Sequence, residues 1–312
     1  MKVLVTGGAG FIGSHLVDRL LAEGHLVEVV DDLSTGSMAN LSQARAEYHG
    51  QIRISELDIR SDEFVQHVIK VEPEVVFHMA AQADVRVSIQ DPLLDAEINI
   101  LGTINVLEAA RLASTRKIVF AASGGTLYGE PTLDKLPIKE TEPQRPLSQY
   151  GVSKKVALDY MATYRQLYGL DYSALALANV YGPRQDPHGE AGVVAIFAGN
   201  LVSNIPCKIF GTGEQTRDFI FVDDVVDAFS KAASSGSGEV INIGTGIETS
   251  VNTLYSTVVR ATKSKLEPNL FPARPGELDR SSLSPKKAKK VLNWTSWTSL
   301  EEGIAQVVQS LT

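Results

Sequence analysis

Short apolar runs alternate with segments of helical periodicity from residue 1 to about residue 180. The apolar runs are rich in β-branched residues and lack the polar alternation of a half-exposed strand, so they predict strands buried on both faces of a parallel sheet. The predicted strands include residues 2–6, 26–31, 74–78, 117–122 and 172–177, and a further strand precedes Asp58. The predicted helices span residues 12–23, 62–71, 93–113 and 149–168.

This regular alternation indicates βαβ units, whose right-handed crossovers build a doubly wound α/β fold with helices on both faces of the sheet. After about residue 180 the elements become shorter and Gly/Pro loops separate them. We therefore expect a main domain over residues 1–178 and a smaller, mainly substrate-binding lobe over residues 179–312. Strands at 208–210 and 240–243 could return to the main sheet, so the boundary need not be a single cut.

A glycine-rich loop, TGGAGFIG at residues 6–13, follows the first predicted strand and opens the first predicted helix. Gly7 allows the tight turn, Gly10 lets the backbone approach a pyrophosphate, and Gly13 lets helix and strand pack closely. The helix N-terminus, with Phe11 and Ile12, supplies free N–H donors and partial positive charge. The pattern predicts a Rossmann-type dinucleotide site in the main domain.

Acidic residues stand where such a site needs them. The second predicted strand ends at Asp31-Asp32, about 20 residues beyond the loop, which is the position of a ribose-binding acid. A carboxylate there hydrogen-bonds the adenosine ribose hydroxyls and repels a 2′-phosphate, so NAD is favoured over NADP. The alternative for either acid is a helix N-cap.

Further cofactor candidates follow the ends of later strands, where ligands bind in open α/β sheets. Asp58-Ile59 follows the third strand and would contact adenine, whereas Ala80-Ala81-Gln82 follows the fourth and would lie along the cofactor. Asn99, inside the predicted helix 93–113, completes this group.

Composition narrows the classes of function. The 312-residue chain is 44% apolar and 21% charged, and it has no apolar run long enough to span a bilayer. The net charge of −8 disfavours nucleic-acid binding, and the single Cys207 excludes an internal disulfide and the usual zinc-site spacing. Because the N-terminus passes straight into the glycine loop, without a signal peptide, we expect a cytoplasmic protein. Since the zinc-site spacing is lacking, we expect no metal site.

Tyr150 and Lys154 are the catalytic candidates that the residues themselves indicate. The spacing YxxxK places a phenol and an ammonium one turn apart on the same face of the predicted helix 149–168. A tyrosine with an ordinary pKa near ~10 is a poor base at neutral pH, but a nearby lysine and an oxidised nicotinamide stabilise its phenolate. Behind a dinucleotide loop, this pair predicts a general base that also contacts the cofactor.

TGGAGFIG, AAQ, YxxxK, NVYGPR at residues 179–184 and RDF at residues 217–219 occur in an order that resembles the extended short-chain dehydrogenase/reductase family over the whole chain. Within that family, GEAGVVAIF at residues 189–197 and RPGE at residues 274–277 resemble the bacterial UDP-glucose 4-epimerases. The resemblance implies an isomerase of galactose metabolism that interconverts UDP-glucose and UDP-galactose through a bound 4-keto sugar. Alternative substrates are UDP-N-acetylglucosamine and UDP-glucuronate.

The resemblance also implies substrate residues. A hydroxyl residue after the fifth strand hydrogen-bonds the sugar's 4-hydroxyl, and both Ser123 and Thr126 are candidates, with Ser123 favoured. The nucleotide and sugar contacts fall on Asn179, Val193, Arg217, Arg274, Glu277 and Ser281. The last of these is a small residue where a bulky one would exclude an N-acetyl group.

One departure from relatives and two rival functions bear on this resemblance. Leu177 stands where many relatives have a tyrosine, so the resemblance implies no nicotinamide contact there. A 4,6-dehydratase needs an acid pair beside the catalytic hydroxyl, but Gly124 and Gly125 hold those places. A non-catalytic NAD-binding sensor would have no need for Tyr150 and Lys154 together.

A homodimer is the last expectation. The helices predicted at 93–113 and 149–168 carry apolar residues on more than one face, which is more than a helix that covers a sheet on one side requires. As in the family, these helices would pair with those of a second copy in a four-helix bundle. The apolar residues that lie on more than one face of these helices include Ile98, Ile104, Leu107, Val156, Met161 and Leu167.

Overall fold

The computed structural model describes residues 1–187, 192–274 and 278–312. The strands in this part of the chain are β1 (Lys2–Thr6), β2 (Leu26–Asp31), β3 (Ile52–Glu56), β4 (Val75–His78), β5 (Lys117–Ser123), β6 (Asp171–Leu177), β7 (Asn179–Tyr181), β8 (Lys208–Phe210), β9 (Thr216–Arg217), β10 (Phe219–Phe221), β11 (Glu239–Ile243), β12 (Thr249–Ser250) and β13 (Asn269–Phe271).

The helices in the same part of the chain are α1 (Phe11–Ala22), α2 (Ser42–Glu47), α3 (Asp62–Val71), α4 (Val85–Gln90), α5 (Pro92–Ala96), α6 (Gly102–Leu112), α7 (Gly124–Leu127), α8 (Gln149–Tyr168), α9 (Val193–Val202), α10 (Val222–Ala232), α11 (Val251–Thr262), α12 (Lys286–Leu292) and α13 (Leu300–Leu311). A π-helical turn, Glu97–Leu101, joins α5 to α6.

Seven strands form the main sheet, in the order β11-β6-β5-β4-β1-β2-β3, and every pairing in it is parallel. Chain order reverses between β1 and β4, which is where doubly wound sheets bind dinucleotides. The predicted doubly wound α/β fold is therefore confirmed. The predicted strand 240–243 does return to this sheet, as β11 beside β6.

Two apolar layers cover the two faces of the sheet. Alternate residues of β1 separate between them: Val3 and Val5 pack with α1 and α10, whereas Leu4 packs with α3, α6 and α8. Leu107 and Met161 belong to the second layer and are almost fully buried. Of the apolar residues on the two predicted helices, these two face the sheet, and the pairing of the helices with a second copy stays a prediction.

The predicted return of 208–210 to the main sheet is also wrong. This segment, β8, pairs in parallel with β13 in a separate two-stranded sheet. The main sheet ends at β11 on one side and at β3 on the other, and β8 pairs with neither of them.

The predicted helix 93–113 is correct in extent but not in regularity. Its middle turn, residues 97–101, is π-helical, so one extra residue is accommodated between α5 and α6. By contrast, α8 begins and ends where predicted, because the Ser148 hydroxyl accepts from the N–H of Gly151 and Gly169 ends the helix in a left-handed conformation. Nowhere in the described ranges is a helix both long and apolar enough to cross a membrane.

Candidate active site

The glycine loop after β1 is shaped by close backbone approaches. Gly7 has a φ of +67°, and a Cβ atom there would lie 2.7 Å from the backbone nitrogen of Ala80. A Cβ atom on Gly13 would overlap the carbonyl oxygen of Gly7. Helix α1 starts directly behind the loop with Gly10 at its N-cap, where no side chain caps the first N–H groups. The result is a cradle lined by backbone donors, which fits a pyrophosphate.

Asp31 and Asp32 play different structural parts at the end of β2. Asp31 is buried, and its carboxylate accepts from the N–H of Ala9 at 2.8 Å and from that of Leu33 at 2.9 Å. Burial raises the pKa of Asp31, and these backbone hydrogen bonds oppose the rise. Asp32 is exposed and binds Ser34. Asp31 thus joins β2 to the glycine loop, and ribose binding by either acid stays a prediction.

Asp58 and Ile59 lie beside this edge of the sheet. Asp58 forms an ion pair with Arg60 at 2.6 Å, and the hydrogen bond from that guanidinium lowers the pKa of Asp58. The Ile59 side chain is buried against Gly102 of α6. Asp58 is therefore the more accessible of the two for a ligand, and the adenine contact stays a prediction.

Asn99 and the AAQ segment interlock. The Asn99 side chain accepts from the N–H of Gln82 at 3.0 Å and donates to the Gln82 carbonyl oxygen at 2.7 Å. The buried Asp95 carboxylate accepts from the side chains of both residues, at 2.9 and 3.1 Å. The Asn99 side chain therefore binds the backbone of Gln82 on both sides. It holds the Ala80-Ala81-Gln82 segment in the conformation in which that segment borders the glycine loop.

Tyr150 and Lys154 lie one turn apart near the start of α8, as predicted. The Lys154 ammonium lies 5.7 Å from the centroid of the Tyr150 ring and 4.7 Å from that of Phe120. It also donates a hydrogen bond of 3.1 Å to the carbonyl oxygen of Ala121. Because Lys154 is buried and its ammonium faces two ring systems and a carbonyl oxygen, its charge is held beside the phenol.

Both hydroxyl candidates lie close to this pair. Ser123 is the last residue of β5, and Thr126 lies on the short helix α7 that follows. Helix α7 packs on the first turn of α8: a Cβ atom on Gly151 would lie 2.7 Å from the Thr126 carbonyl oxygen. The two alternatives stay open.

The residues implied for nucleotide binding all follow β6 in chain order. Asn179 is exposed at the start of β7, and its N–H donates to the carbonyl oxygen of Asp218, next to Arg217. The Arg274 guanidinium stacks 3.8 Å from the ring centroid of Phe210. Val193 is half-buried at the first turn of α9, and Glu277 lies outside the described residues.

Ser281 lies next to the point where Arg280 bridges to Thr216. Its own side chain is only 5% exposed. On its other side, the carbonyl oxygen of Ser282 accepts from the N–H of Ile138. Ser281 is therefore part of a packed segment, and its contact with a sugar stays a prediction.

Asp218 is a structural centre that the sequence did not reveal. Its carboxylate, 1% exposed, accepts four hydrogen bonds at 2.6–3.0 Å: two from Thr245, one from Gly246 and one from Leu283. It thereby ties β10 to the segment that contains Ser281. The RDF motif included Asp218, but its spacing carries no signal that the carboxylate is buried.

The parallel sheet, the glycine cradle at its carboxyl edge and the Tyr150–Lys154 pair are the arrangement of a dinucleotide-dependent enzyme, and the role of Tyr150 as its base stays a prediction. A family model described as GDP-mannose 4,6 dehydratase matches residues 4–307. The chain belongs to the extended short-chain dehydrogenase/reductase family, to which that model corresponds.

Individual relatives are more specific. A UDP-glucose 4-epimerase of Mycolicibacterium smegmatis is 48% identical over 310 residues, which cover 99% of this chain and 98% of that protein. The crystal structure of the Thermotoga maritima UDP-glucose 4-epimerase with UDP-glucose has a TM-score of 0.95 at 43% identity and covers 99% of this chain and 98% of its own. The Thermus thermophilus UDP-glucose 4-epimerase in complex with NAD has a TM-score of 0.92 at 41% identity, with coverage of 100% and 99%.

Proposed function

We propose that this chain is an NAD-dependent 4-epimerase of UDP-hexoses, with UDP-glucose and UDP-galactose as the leading substrate pair. The observation that carries the proposal is the Tyr150–Lys154 pair beside a dinucleotide cradle, in a chain that is similar to UDP-glucose 4-epimerases over its whole length. With these substrates the activity would belong to galactose metabolism.

The residues present fit NAD. Side chains on Gly7 or Gly13 would obstruct the cradle, and the buried Asp31 carboxylate stands at the end of β2, where a ribose diol is expected. The cradle would hold the pyrophosphate, and Tyr150 and Lys154 border the nicotinamide end. When bound, NAD supplies a reversible hydride acceptor.

The protein's own part in the reaction is proton transfer and orientation. Tyr150 takes the proton of the sugar 4-hydroxyl as C4 is oxidised to a ketone, and Lys154 stabilises the phenolate. Ser123 or Thr126 orients the same hydroxyl. The keto sugar then turns over, Tyr150 returns the proton to the C4 oxygen, and reduction of the other face gives the 4-epimer without net redox change.

The nucleotide must stay bound while the sugar turns. Asn179, Arg217 and Arg274 would hold the diphosphate, since guanidinium groups bind phosphate oxygens through charge-assisted, bidentate hydrogen bonds. The Arg274 guanidinium stacks on the ring of Phe210, which limits the directions in which its N–H groups can point.

A 4,6-dehydratase is disfavoured by the packing beside Ser123. A Cβ atom on Gly124 would overlap the Cδ1 atom of Leu283, and Leu283 is itself buried. A longer acidic side chain at position 124 could be accommodated only if Leu283 moved. This packing supports epimerisation over elimination of the 6-hydroxyl.

Incubation with UDP-glucose, UDP-galactose, UDP-N-acetylglucosamine and UDP-glucuronate, followed by chromatographic separation of the 4-epimers, tests the function. We expect conversion of UDP-glucose and UDP-galactose in both directions, with no accumulation of NADH absorbance. Tyr150→Phe should abolish conversion, and Tyr160→Phe, an exposed tyrosine of the same helix, should not. Formation of a 4-keto-6-deoxy product, or stoichiometric NADH, would contradict the proposal.

Substrate breadth is a finer proposal. The resemblance to the epimerases implies that Ser281 lies near the sugar's 2-position, where a tyrosine would exclude an N-acetyl group, and we therefore expect activity on UDP-N-acetylglucosamine as well as UDP-glucose. The test compares kcat/KM for both substrates in the wild type and Ser281→Tyr, with Ser282→Ala as control. Because Ser281 is buried, thermal unfolding of Ser281→Tyr is measured as well. An unchanged substrate ratio in a folded Ser281→Tyr would show that Ser281 is not the gate.

We also propose a homodimer through α5, α6 and α8. Large apolar side chains are exposed on these helices and on the π-helical turn between α5 and α6: Leu93 is 75%, Leu101 59% and Leu167 64% exposed. Two copies would bury them in a bundle of paired helices. In sedimentation experiments at micromolar concentration we expect a dimer of 33.7 kDa chains, and Leu93→Asp should weaken it. Leu270→Asp, at an equally exposed leucine on β13, is the control, and a monomeric wild type would refute the proposal.

A further inference from the structure

A buried imidazole lies between the glycine loop and the turn that contains Asn99. His78, the last residue of β4, is 1% exposed. Its Nδ1 atom lies 2.8 Å from the hydroxyl of Thr6, the residue before Gly7, and its Nε2 atom lies 3.0 Å from the hydroxyl of Thr103 on α6. Both threonines are buried as well.

The donor and the acceptor of each hydrogen bond around His78 can be assigned from the neighbouring groups. The Thr103 hydroxyl donates to the carbonyl oxygen of Asn99 at 2.7 Å, so it can only accept from His78. His78 is therefore protonated on Nε2, and its Nδ1 atom accepts from the Thr6 hydroxyl. The Thr6 oxygen in turn accepts from the N–H groups of Met79 at 3.2 Å and Ala80 at 3.3 Å.

At its other end the chain of hydrogen bonds continues to the catalytic helix. The Asn99 amide donates to the Ser153 hydroxyl at 3.3 Å, and that hydroxyl donates to the carbonyl oxygen of Tyr150 at 2.9 Å. One series of hydrogen bonds thus connects the backbone around the dinucleotide cradle to the helix turn that carries the catalytic pair.

We propose that His78 is a positioning residue, which as a neutral imidazole with its proton on Nε2 sets the distance between the dinucleotide cradle and the turn of α8 that bears Tyr150 and Lys154. The proposal rests on the proposed NAD-dependent function. His78 touches neither reacting group and acts through Thr6 on one side and through Thr103 and Asn99 on the other.

The surroundings of His78 keep it in this one state. Burial, with a smaller contribution from the Lys154 ammonium, lowers the pKa of His78 to about 3. A second proton would place an N–H on Nδ1 against the Thr6 hydroxyl, whose oxygen already accepts two backbone N–H groups. The imidazole therefore does not change its hydrogen bonds over the pH range in which the enzyme would work.

Two substitutions separate the two ends of the series. In His78→Asn the amide oxygen can occupy the place of Nδ1 and keep the bond to Thr6, whereas in His78→Gln the amide nitrogen can occupy the place of Nε2 and keep the bond to Thr103. We expect His78→Asn to lower kcat at least about tenfold with little change in NAD affinity, and His78→Gln to weaken NAD binding at least about tenfold. KM for the UDP-sugar should stay near the wild-type value in both.

Thr103→Val and Thr103→Ser test the same link where the histidine variants do not fold. Thr103→Val should lower kcat as His78→Asn does, and Thr103→Ser, which keeps the hydroxyl, should restore it. The matched control is Thr257→Val, since Thr257 on α11 is also buried, donates to the carbonyl oxygen four residues before it and accepts from a side chain, that of Arg260.

The readouts are the NAD dissociation constant of the full chain, kcat and KM, and the thermal midpoint. If the His78 and Thr103 variants lower only the thermal midpoint, as Thr257→Val should, His78 has a structural role and the proposal is wrong. If His78→Asn and His78→Gln lose NAD affinity and kcat equally, the assignment of the two ends is wrong. A wild type that binds NAD but converts no UDP-sugar would instead refute the proposed function, and the NAD affinities would still test His78→Gln.

Discussion

Replacement of Asp218 by asparagine would test how much the buried carboxylate contributes to stability. The substitution keeps the size of the side chain but leaves one acceptor oxygen in place of two. Four donors converge on the native carboxylate, three of them backbone N–H groups, from Thr245, Gly246 and Leu283. The fourth is the Thr245 hydroxyl at 2.6 Å.

The orientation of the new amide decides the magnitude. If the amide oxygen faces Thr245, its NH2 group opposes the N–H groups of Gly246 and Leu283, and two buried donors are left unpaired. If it faces Gly246 and Leu283, the Thr245 hydroxyl can rotate to accept from the NH2 group, and only the Thr245 N–H is left unpaired. An unpaired buried group costs about 1–3 kcal/mol, so the second orientation should prevail with a loss of about that size.

The loss is moderated because the native charge is itself costly to bury: burial raises the pKa of Asp218 despite the four donors. We therefore expect Asp218→Asn to lower the free energy of unfolding by about 2 kcal/mol. Asp218→Ala should lower it at least twice as much, because all three backbone donors then lack a partner. Urea unfolding at neutral pH measures both differences from the shift in midpoint at constant m-value.

Asp224→Asn is the matched control, since Asp224 is equally buried but accepts longer hydrogen bonds of 3.2–3.3 Å from residues 297 and 298. It should cost less than Asp218→Asn. If Asp218→Asn is as stable as the wild type, or if the alanine variant is no worse than the asparagine variant, then the count of unpaired donors is not what sets the stability here.

Three shorter predictions concern catalysis, the cofactor and pH. Tyr150→Phe should lower turnover at least about 100-fold while NAD affinity and the fold are retained, and a variant with more than about a tenth of wild-type turnover would exclude Tyr150 as the base. Gly13→Ala should weaken NAD binding at least about tenfold because the new methyl group displaces the carbonyl of Gly7, whereas Gly125→Ala, whose Cβ position has no neighbour within 4 Å in the described structure, should not. Burial raises the pKa of Asp224 to about 6, so the native state holds a proton that the unfolded chain has already released. Stability of the wild type relative to Asp224→Asn should thus fall as pH rises from about 4 to about 6 and stay level above that, and a parallel pair of stability curves would contradict it.

The parts of the fold that the sequence predicted well are those in which local pattern and tertiary environment agree. β1 and β2 are continuous apolar runs that end at a glycine and at an acid pair, and both were predicted to the residue. Helix α8 carries its own start signal in Ser148 and its own stop signal in Gly169. The Tyr150–Lys154 pair could be found because a helix fixes the geometry of residues four apart.

Features that depend on which partner an element meets could not be read in this way. An apolar position on α6 or α8 is apolar whether it is buried against the sheet, as Leu107 and Met161 are, or exposed, as Leu112 and Leu167 are. Similarly, the short apolar run of β8 does not show whether the strand joins the main sheet or pairs with β13 in a separate sheet. His78 and Asp218 were missed because their roles depend on hydrogen-bond partners that come from distant parts of the chain.

The π-helical turn at Glu97–Leu101 changes which side of one continuous helix faces the interior. Each residue advances an α-helix by about 100°. A turn that contains one extra residue therefore rotates the side chains of the following helix about its axis by about that angle. Before the turn, the inward face presents Asp95 to Gln82, and after it the inward face presents Val106 and Leu107 to the sheet. Deletion of Glu97 would restore regular α-helix and keep every apolar residue of the turn, yet it would rotate the part of the helix before the turn out of phase with the part after it. The length of this segment, as much as its composition, is therefore under constraint.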